Sequence, residues 1–213
     1  MALKANALVT LAITKDYLEI PIATTAYDIR LERLINAASQ AIAKKTRRVL
    51  VTTTHTEYQD GRASNKILLH EYPITGGPAS GNTKPQLAID SGSVFAASSI
   101  IDPAQYQVDN EIMITFIKGG IFSKGYHNIQ IIYEAGEGDL GLETIPSDLE
   151  QACLDYVLWL YDMNTDRHIG QTTKSKGGES TTYDLGIPSH VIDLLEPYIR
   201  HELPSANVAV SNT

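Results

Sequence analysis

Asp162-Met163-Asn164-Thr165-Asp166 is a stretch whose residue types could do chemistry, because oxygen donors at alternate positions open a calcium-binding loop. The rest of such a loop does not follow. Its sixth position requires glycine and is Arg167, and its twelfth requires glutamate and is Thr173. Residues 170–175 end in Lys174-Ser175, as a phosphate-cradling loop does, but the glycine before the lysine and a preceding strand are missing. The histidines at 55, 70, 127, 168, 190 and 201 show no HxxxH or HxH spacing that would bind a metal. No GxSxG elbow or serine–lysine signature occurs, and nothing in the chain nominates a pair of carboxylates. Cys153 is the single cysteine, which excludes an internal disulfide and a cysteine-based zinc site. It lies in an apolar helix and reads as a packed thiol rather than a nucleophile. No catalytic residue, cofactor or metal is therefore expected, and the protein does not read as an enzyme.

The elements that carry these residues say more. Residues 145–168, IPSDLEQACLDYVLWLYDMNTDRH, read as a helix with Ser147 as N-cap and Glu150 three positions on. Asp148 and Glu150 suit the positive end of its dipole. Leu149, Ala152, Cys153, Tyr156, Val157, Leu160 and Tyr161 recur at helical steps and form one broad apolar face. Leu154, Leu158 and Trp159 fall outside that face. A helix apolar on most sides is buried on most sides, and in a short chain a neighbouring subunit is a natural cover. Those three are the candidate subunit-packing residues.

With 213 residues the chain can bury one good core and a smaller lobe. Its 17 basic and 25 acidic residues give a net charge of -8, which argues against gripping nucleic acid through phosphates. No run of about 18 apolar residues is present to span a membrane. The opening MALKANALVTLAI lacks a cleavage pattern and does not read as a signal peptide. The expectation is a soluble protein made in a reducing compartment.

In chain order, Thr10 can cap a short helix, LAITKDYLE, that ends before Pro21. A second helix over 28–45 places Leu31, Leu34, Ile35, Ala38 and Ile42 on one stripe. Lys44, Lys45, Arg47 and Arg48 follow at its negative end and read as dipole compensation rather than a DNA patch. From 49 to 136 the chain is rich in Thr, Val, Ile and Tyr and broken by turn residues. Strands are expected at 48–54, 66–72, 86–90, 105–108, 112–117 and 128–133, with a tight turn at Asp109-Asn110. Residues 74–85 read as an exposed flexible loop, and 170–182 as a mobile loop or one ordered only by a partner. A last helix begins near Pro188 and is bent or ended by Pro197.

The predicted fold is thus α+β. A small antiparallel-type bundle of about four helices, residues 1–48 and 140–201, receives a β-rich insertion between its second and third long helices, residues 49–136. Residues 202–213 form a flexible C-terminal tail.

The order of segments carries a resemblance. "LVTL" and "LERLINAASQAI" precede a Tyr58-x-Asp60-Gly61 turn, Leu68-Leu69 and a Tyr72-Pro73-Ile74 step. Then come "IQIIYEAGEG", "IPSDLEQACLDYVLWLY", "SKGGESTTYDLGIP" and "VIDLLEPYIR". Over residues 8–200 this resembles the head–tail connector family of tailed bacteriophages, the adaptors beneath the portal. Residues 74–123 are longer than in the compact members.

The resemblance implies a non-enzymatic virion neck protein, assembled in the host cytoplasm. It implies a homo-oligomeric ring, of twelve subunits in that family, docked on the portal protein. The ring would continue the channel to a stopper, head-closure or tail protein, and double-stranded DNA would pass through without specific binding. Tyr198, Arg200, Leu203, Val208 and Val210 are the candidate portal contacts, by their terminal position and their apolar or cationic character. Two other readings stay open. One is a different neck or tail-completion protein, such as a stopper or tail terminator. The other is a ligand- or carbohydrate-binding module whose β lobe presents Tyr58, Tyr72, Tyr106 and Tyr126.

Overall fold

The computed structural model describes residues 2–78, 83–117, 119–138, 145–165, 173–176, 179–182 and 186–200. Two apolar clusters organise it, one helical and one stranded, as an α+β fold requires.

The helical cluster is built on α2 (Asp28–Thr46) and α3 (Ser147–Thr165). Leu31, Ile35, Ala38 and Ile42 of α2 are buried, at the spacing that sets one helix face inward. Ile35, Ala38 and Ile42 meet Leu149, Ala152, Cys153, Tyr156 and Val157 of α3. The short α1 (Leu11–Tyr17) and α4 (Ser189–Leu195) close the sides, α4 through Val191 and Leu195. Thr10 caps α1 by accepting the Ile13 N–H. The chain before α1 is pinned to α2: Asn36 accepts the Lys4 N–H at 2.9 Å and Ser39 accepts the Leu8 N–H at 3.0 Å. Lys15, almost wholly buried, spans from α1 to the start of α2. Its ammonium donates to the carbonyls of Ile22 and Thr24 and pairs with Asp28 at 2.5 Å. Pro188 precedes α4, and Pro197 sits in the 3-10 turn Glu196–Tyr198 that follows it.

The stranded cluster is centred on β7 (Gly125–Ala135). One flank of β7 pairs antiparallel with β1 (Thr53–Gly61). The other flank is shared end to end by β3 (Ile74–Gly76) and β4 (Gln86–Ile89). A second sheet, ordered β2 (Lys66–Leu68), β6 (Met113–Phe116), β5 (Tyr106–Asp109), covers its inner face. Ile67, Tyr106, Ile114 and Phe116 of that sheet interleave with Leu87, Ile129, Ile131 and Tyr133. The Asp109-Asn110 turn joins β5 to β6, and Asn110 and Glu111 both take positive φ.

Four expectations need correction. The first strand begins at Thr53 rather than 48, because Arg48 to Val51 belong to the seam between the two clusters. Residues 74–85 are not all loop: Ile74 is buried and β3 pairs with the end of β7. The stretch 170–182 contains a hairpin, β8 (Thr173–Lys176) with β9 (Glu179–Thr182), which ladder hydrogen bonds hold without needing apolar side chains. Ser147 is the first helical residue of α3 rather than a flanking cap, and Asp148 accepts the Leu149 N–H there.

Candidate functional site

Arg48 sits where the two clusters meet and is one of the few charged groups buried there, at 8% exposure. Its guanidinium donates to the Tyr72 carbonyl at 2.6 Å and to Glu137 at 2.5 Å, and lies 4.3 Å from the Tyr72 ring centroid. Glu137 is tied in turn by its own N–H to the Leu50 carbonyl. Gly136 has φ +149, and a Cβ there would come within 2.5 Å of the Thr52 backbone, so glycine is required where the strands cross. The Tyr72-Pro73 bond on the same seam is cis. Arg48 is thus not the helix-end charge that its place after α2 suggested; Arg47, at φ 56, closes that helix.

Arg200 reaches the same tyrosine. Its guanidinium is 5.0 Å from the Tyr72 ring centroid, donates to the His70 carbonyl and lies 3.7 Å from Glu71. Its backbone N–H donates to Thr46 at the end of α2. Behind it, the Tyr133 hydroxyl accepts the Glu71 N–H and donates to Glu57, which also accepts the His70 N–H. Burial and the adjoining carboxylates raise the Tyr133 hydroxyl far above an ordinary phenol. Tyr198 donates to Asp148 at 2.7 Å, and burial followed by that carboxylate raises its pKa as well. Of the candidate portal contacts, then, Tyr198 and Arg200 lie together at the seam. Leu203, Val208 and Val210 lie outside the described residues.

The subunit-packing candidates separate. Leu154 is buried at 6% in the chain's own helical core and has no surface to offer a neighbour. Leu158 and Trp159 are half-buried, Trp159 stacked on Tyr156 at 5.7 Å. Next to them, Arg30 covers the Tyr161 ring at 4.5 Å and donates to the Tyr161 carbonyl and the Thr165 hydroxyl at the end of α3. That helix end also accounts for Asp162 and Asn164, which run in α3 and not in a calcium loop.

Catalytic chemistry finds little support in the geometry. Cys153 packs against Ser39, and burial pushes its thiol up to about 12, so it is inert at neutral pH. Among the described residues no cluster of His, Cys, Asp and Glu could hold a metal ion. No helix of the described residues is long and apolar enough to cross a membrane. The four tyrosines of the β lobe do not share a face: Tyr106 is fully buried, its hydroxyl donating to the Pro85 carbonyl, and the Tyr72 ring is engaged by two arginines. Only Tyr58 and Tyr126 are exposed.

Sequence reasoning missed the seam because its members are scattered at 48, 70–72, 137 and 200. The one available signal was a pair of arginines at the ends of the two helical segments.

Solved structures share this fold. A chain of the virion of a native gene transfer agent particle aligns at TM-score 0.60 and 16% identity, over 96% of this chain and 95% of that one. Chains from the neck of the empty particle, computed with C6 symmetry, and of the native particle, computed with C12 symmetry, align at TM-score 0.59 with 17% and 16% identity. Both cover 96% of this chain and 95% of their own. At such identities the likeness is one of fold. No curated protein matches in sequence. The model of the head completion protein family matches residues 7–201. That span is nearly the whole chain, which therefore belongs to the head completion protein family, a family of structural rather than enzymatic proteins.

Proposed function

We propose that this protein is the head–tail connector of a phage-like particle: a homo-oligomeric ring in the virion neck that docks on the portal and continues the DNA channel towards the stopper or tail. The observation that carries the reading is the family match over residues 7–201, joined to a fold shared end to end with chains of a gene transfer agent neck. The C12 symmetry used for one of those necks favours twelve subunits. Leu158 and Trp159 offer a half-buried apolar strip for a neighbouring subunit. Leu203, Val208 and Val210, which follow Arg200 in sequence, are the residues assigned to the portal contact together with Tyr198 and Arg200. A chain with net charge -8 gives DNA phosphates little to hold, so the duplex slides through without specific binding.

The test is the native mass of the purified protein, alone and mixed with its cognate portal. A ring, or a monomer that becomes a ring on the portal, supports the reading; a monomer indifferent to the portal overturns it. Deleting residues 204–213 should weaken portal docking while leaving the fold intact, and normal docking by the truncated protein would defeat the assigned contact.

A further inference from the structure

β7 measures the distance between two ends of this molecule. Its Ala135 end pairs with Thr53 and Ile74 beside the Arg48–Glu137 seam, and its Gly125 end pairs with Gly61. Eleven residues at about 3.3 Å each put those ends about 33 Å apart. The far end is a built tip and not a frayed one. Asn128, 2% exposed, accepts the Gly61 N–H at 2.8 Å and donates to the Ser123 carbonyl at 2.9 Å. The Phe122 N–H donates to the Ser64 carbonyl and the Phe122 carbonyl accepts the Ala63 N–H across it, and the Phe116 and Phe122 rings pack at 4.8 Å beneath.

What this tip presents differs from the rest of the chain. In a protein of net charge -8, residues 61–70 and 112–133 contain no aspartate or glutamate. Arg62, Lys66 and Lys124 are exposed there, with no hydrogen-bond or ion-pair partner for their side chains among the described residues. The nearest carboxylate along the chain, Asp60, is occupied by the His127 N–H. The same segments carry exposed apolar side chains: Ile117 at 51%, Ile121 at 54% and Tyr126 at 78%.

Resting on the neck reading, we infer that this tip is the docking surface for the protein stacked on the side of the ring away from the Arg48–Arg200 seam, the tail-side component, through an acidic surface with an apolar centre. Charge complementarity selects an acidic partner, since the cations are unpaired and the rest of the chain is anionic. The apolar side chains select a protein over nucleic acid. A duplex backbone rewards Lys and Arg but gives exposed isoleucines nothing to bury against, whereas a protein interface has an apolar centre and a polar rim. The rigid Asn128 clamp keeps the ordering cost of docking low.

The test uses full-length protein with heads purified from particles lacking it, and with the matching tails. The triple variant R62E/K66E/K124E and the double variant I117S/I121S change only exposed side chains, and circular dichroism checks that both fold. Both should bind heads as the wild type does, while tail joining falls at least about tenfold. The wild type should show no tip-dependent binding to a short DNA duplex at physiological ionic strength. Unchanged tail joining by both variants overturns the assignment, as does loss of head binding in its place. Duplex binding that the triple variant abolishes overturns it in favour of DNA. If the wild type binds neither heads nor tails, the neck reading falls and this assignment with it.

Discussion

The Arg48 guanidinium meets the Glu137 carboxylate at 2.5 Å across the seam between the helical and the stranded cores, with side-chain exposures of only 6% and 17%. Each offsets part of the other's desolvation penalty, and Tyr72 supplies a carbonyl and a ring face to the same cation. Replacing Arg48 with alanine leaves a largely buried carboxylate without its partner. The expected cost is about 3–5 kcal/mol in urea unfolding. Arg48→Lys keeps the charge but loses the planar guanidinium that lies 4.3 Å from the Tyr72 ring centroid, so it should recover only part of the loss. Equal stability of the alanine variant and the wild type would show that the seam does not couple the two cores.

A milder prediction concerns the tip clamp. Asn128→Ala strands the Gly61 N–H and the Ser123 carbonyl, both of which the Asn128 amide satisfies. The cost should be about 1–3 kcal/mol. Hydrogen exchange should quicken at residues 61–66 and 121–126 more than in α2 or α3. Uniform quickening throughout would mean that the tip has no local stability of its own.

Alkaline pH should expose the Cys153 thiol thermodynamically. Its pKa rises from an ordinary value near 9 to about 12 through burial, with the Ser39 contact opposing weakly. A folded-state pKa above the unfolded one means that the unfolded chain loses the proton first. Stability is then complete below pH 9 and declines as the pH rises from 9 towards 12. Cys153→Ala should flatten the decline between pH 9 and 10, before unfolded-state tyrosines titrate strongly. An alkylating reagent at pH 8 should label the thiol only in denaturant. Rapid labelling of folded protein would contradict the buried placement.

How much of this was legible beforehand depends on range. The stripe from Leu31 to Ile42 and the face from Leu149 to Val157 are local patterns, and the helices formed where spacing placed them. Thr10 capped α1 for the same local reason. β3 escaped notice because its three residues stand in a Gly- and Pro-rich run, and only pairing with β7 makes Ile74 a strand residue. Arg48 was misread because a cation after a helix has a local explanation, while its real partners are 24 and 89 positions away. Leu154 fell off the single apolar face drawn on α3, yet it is buried because that helix is packed against both α2 and α4. The tip of the β lobe is a charge pattern across two segments that only the β1–β7 register brings together.

The final prediction separates folding from assembly on α3. Leu149 is wholly buried in the helical core, and Leu149→Ala should cost about 2–5 kcal/mol by transfer and cavity formation. Leu158 and Trp159 lie on the same helix but keep part of their surface in water. The double variant Leu158→Ser with Trp159→Ser should therefore fold, with a smaller loss of stability, because fewer of its atoms leave a packed interior. Its native mass in the presence of the portal should fall short of the ring that the wild type forms, since a polar strip no longer rewards a neighbouring subunit. Light scattering alongside a thermal melt distinguishes the cases. A folded double variant that still assembles a full ring would move the subunit contact off this face of α3.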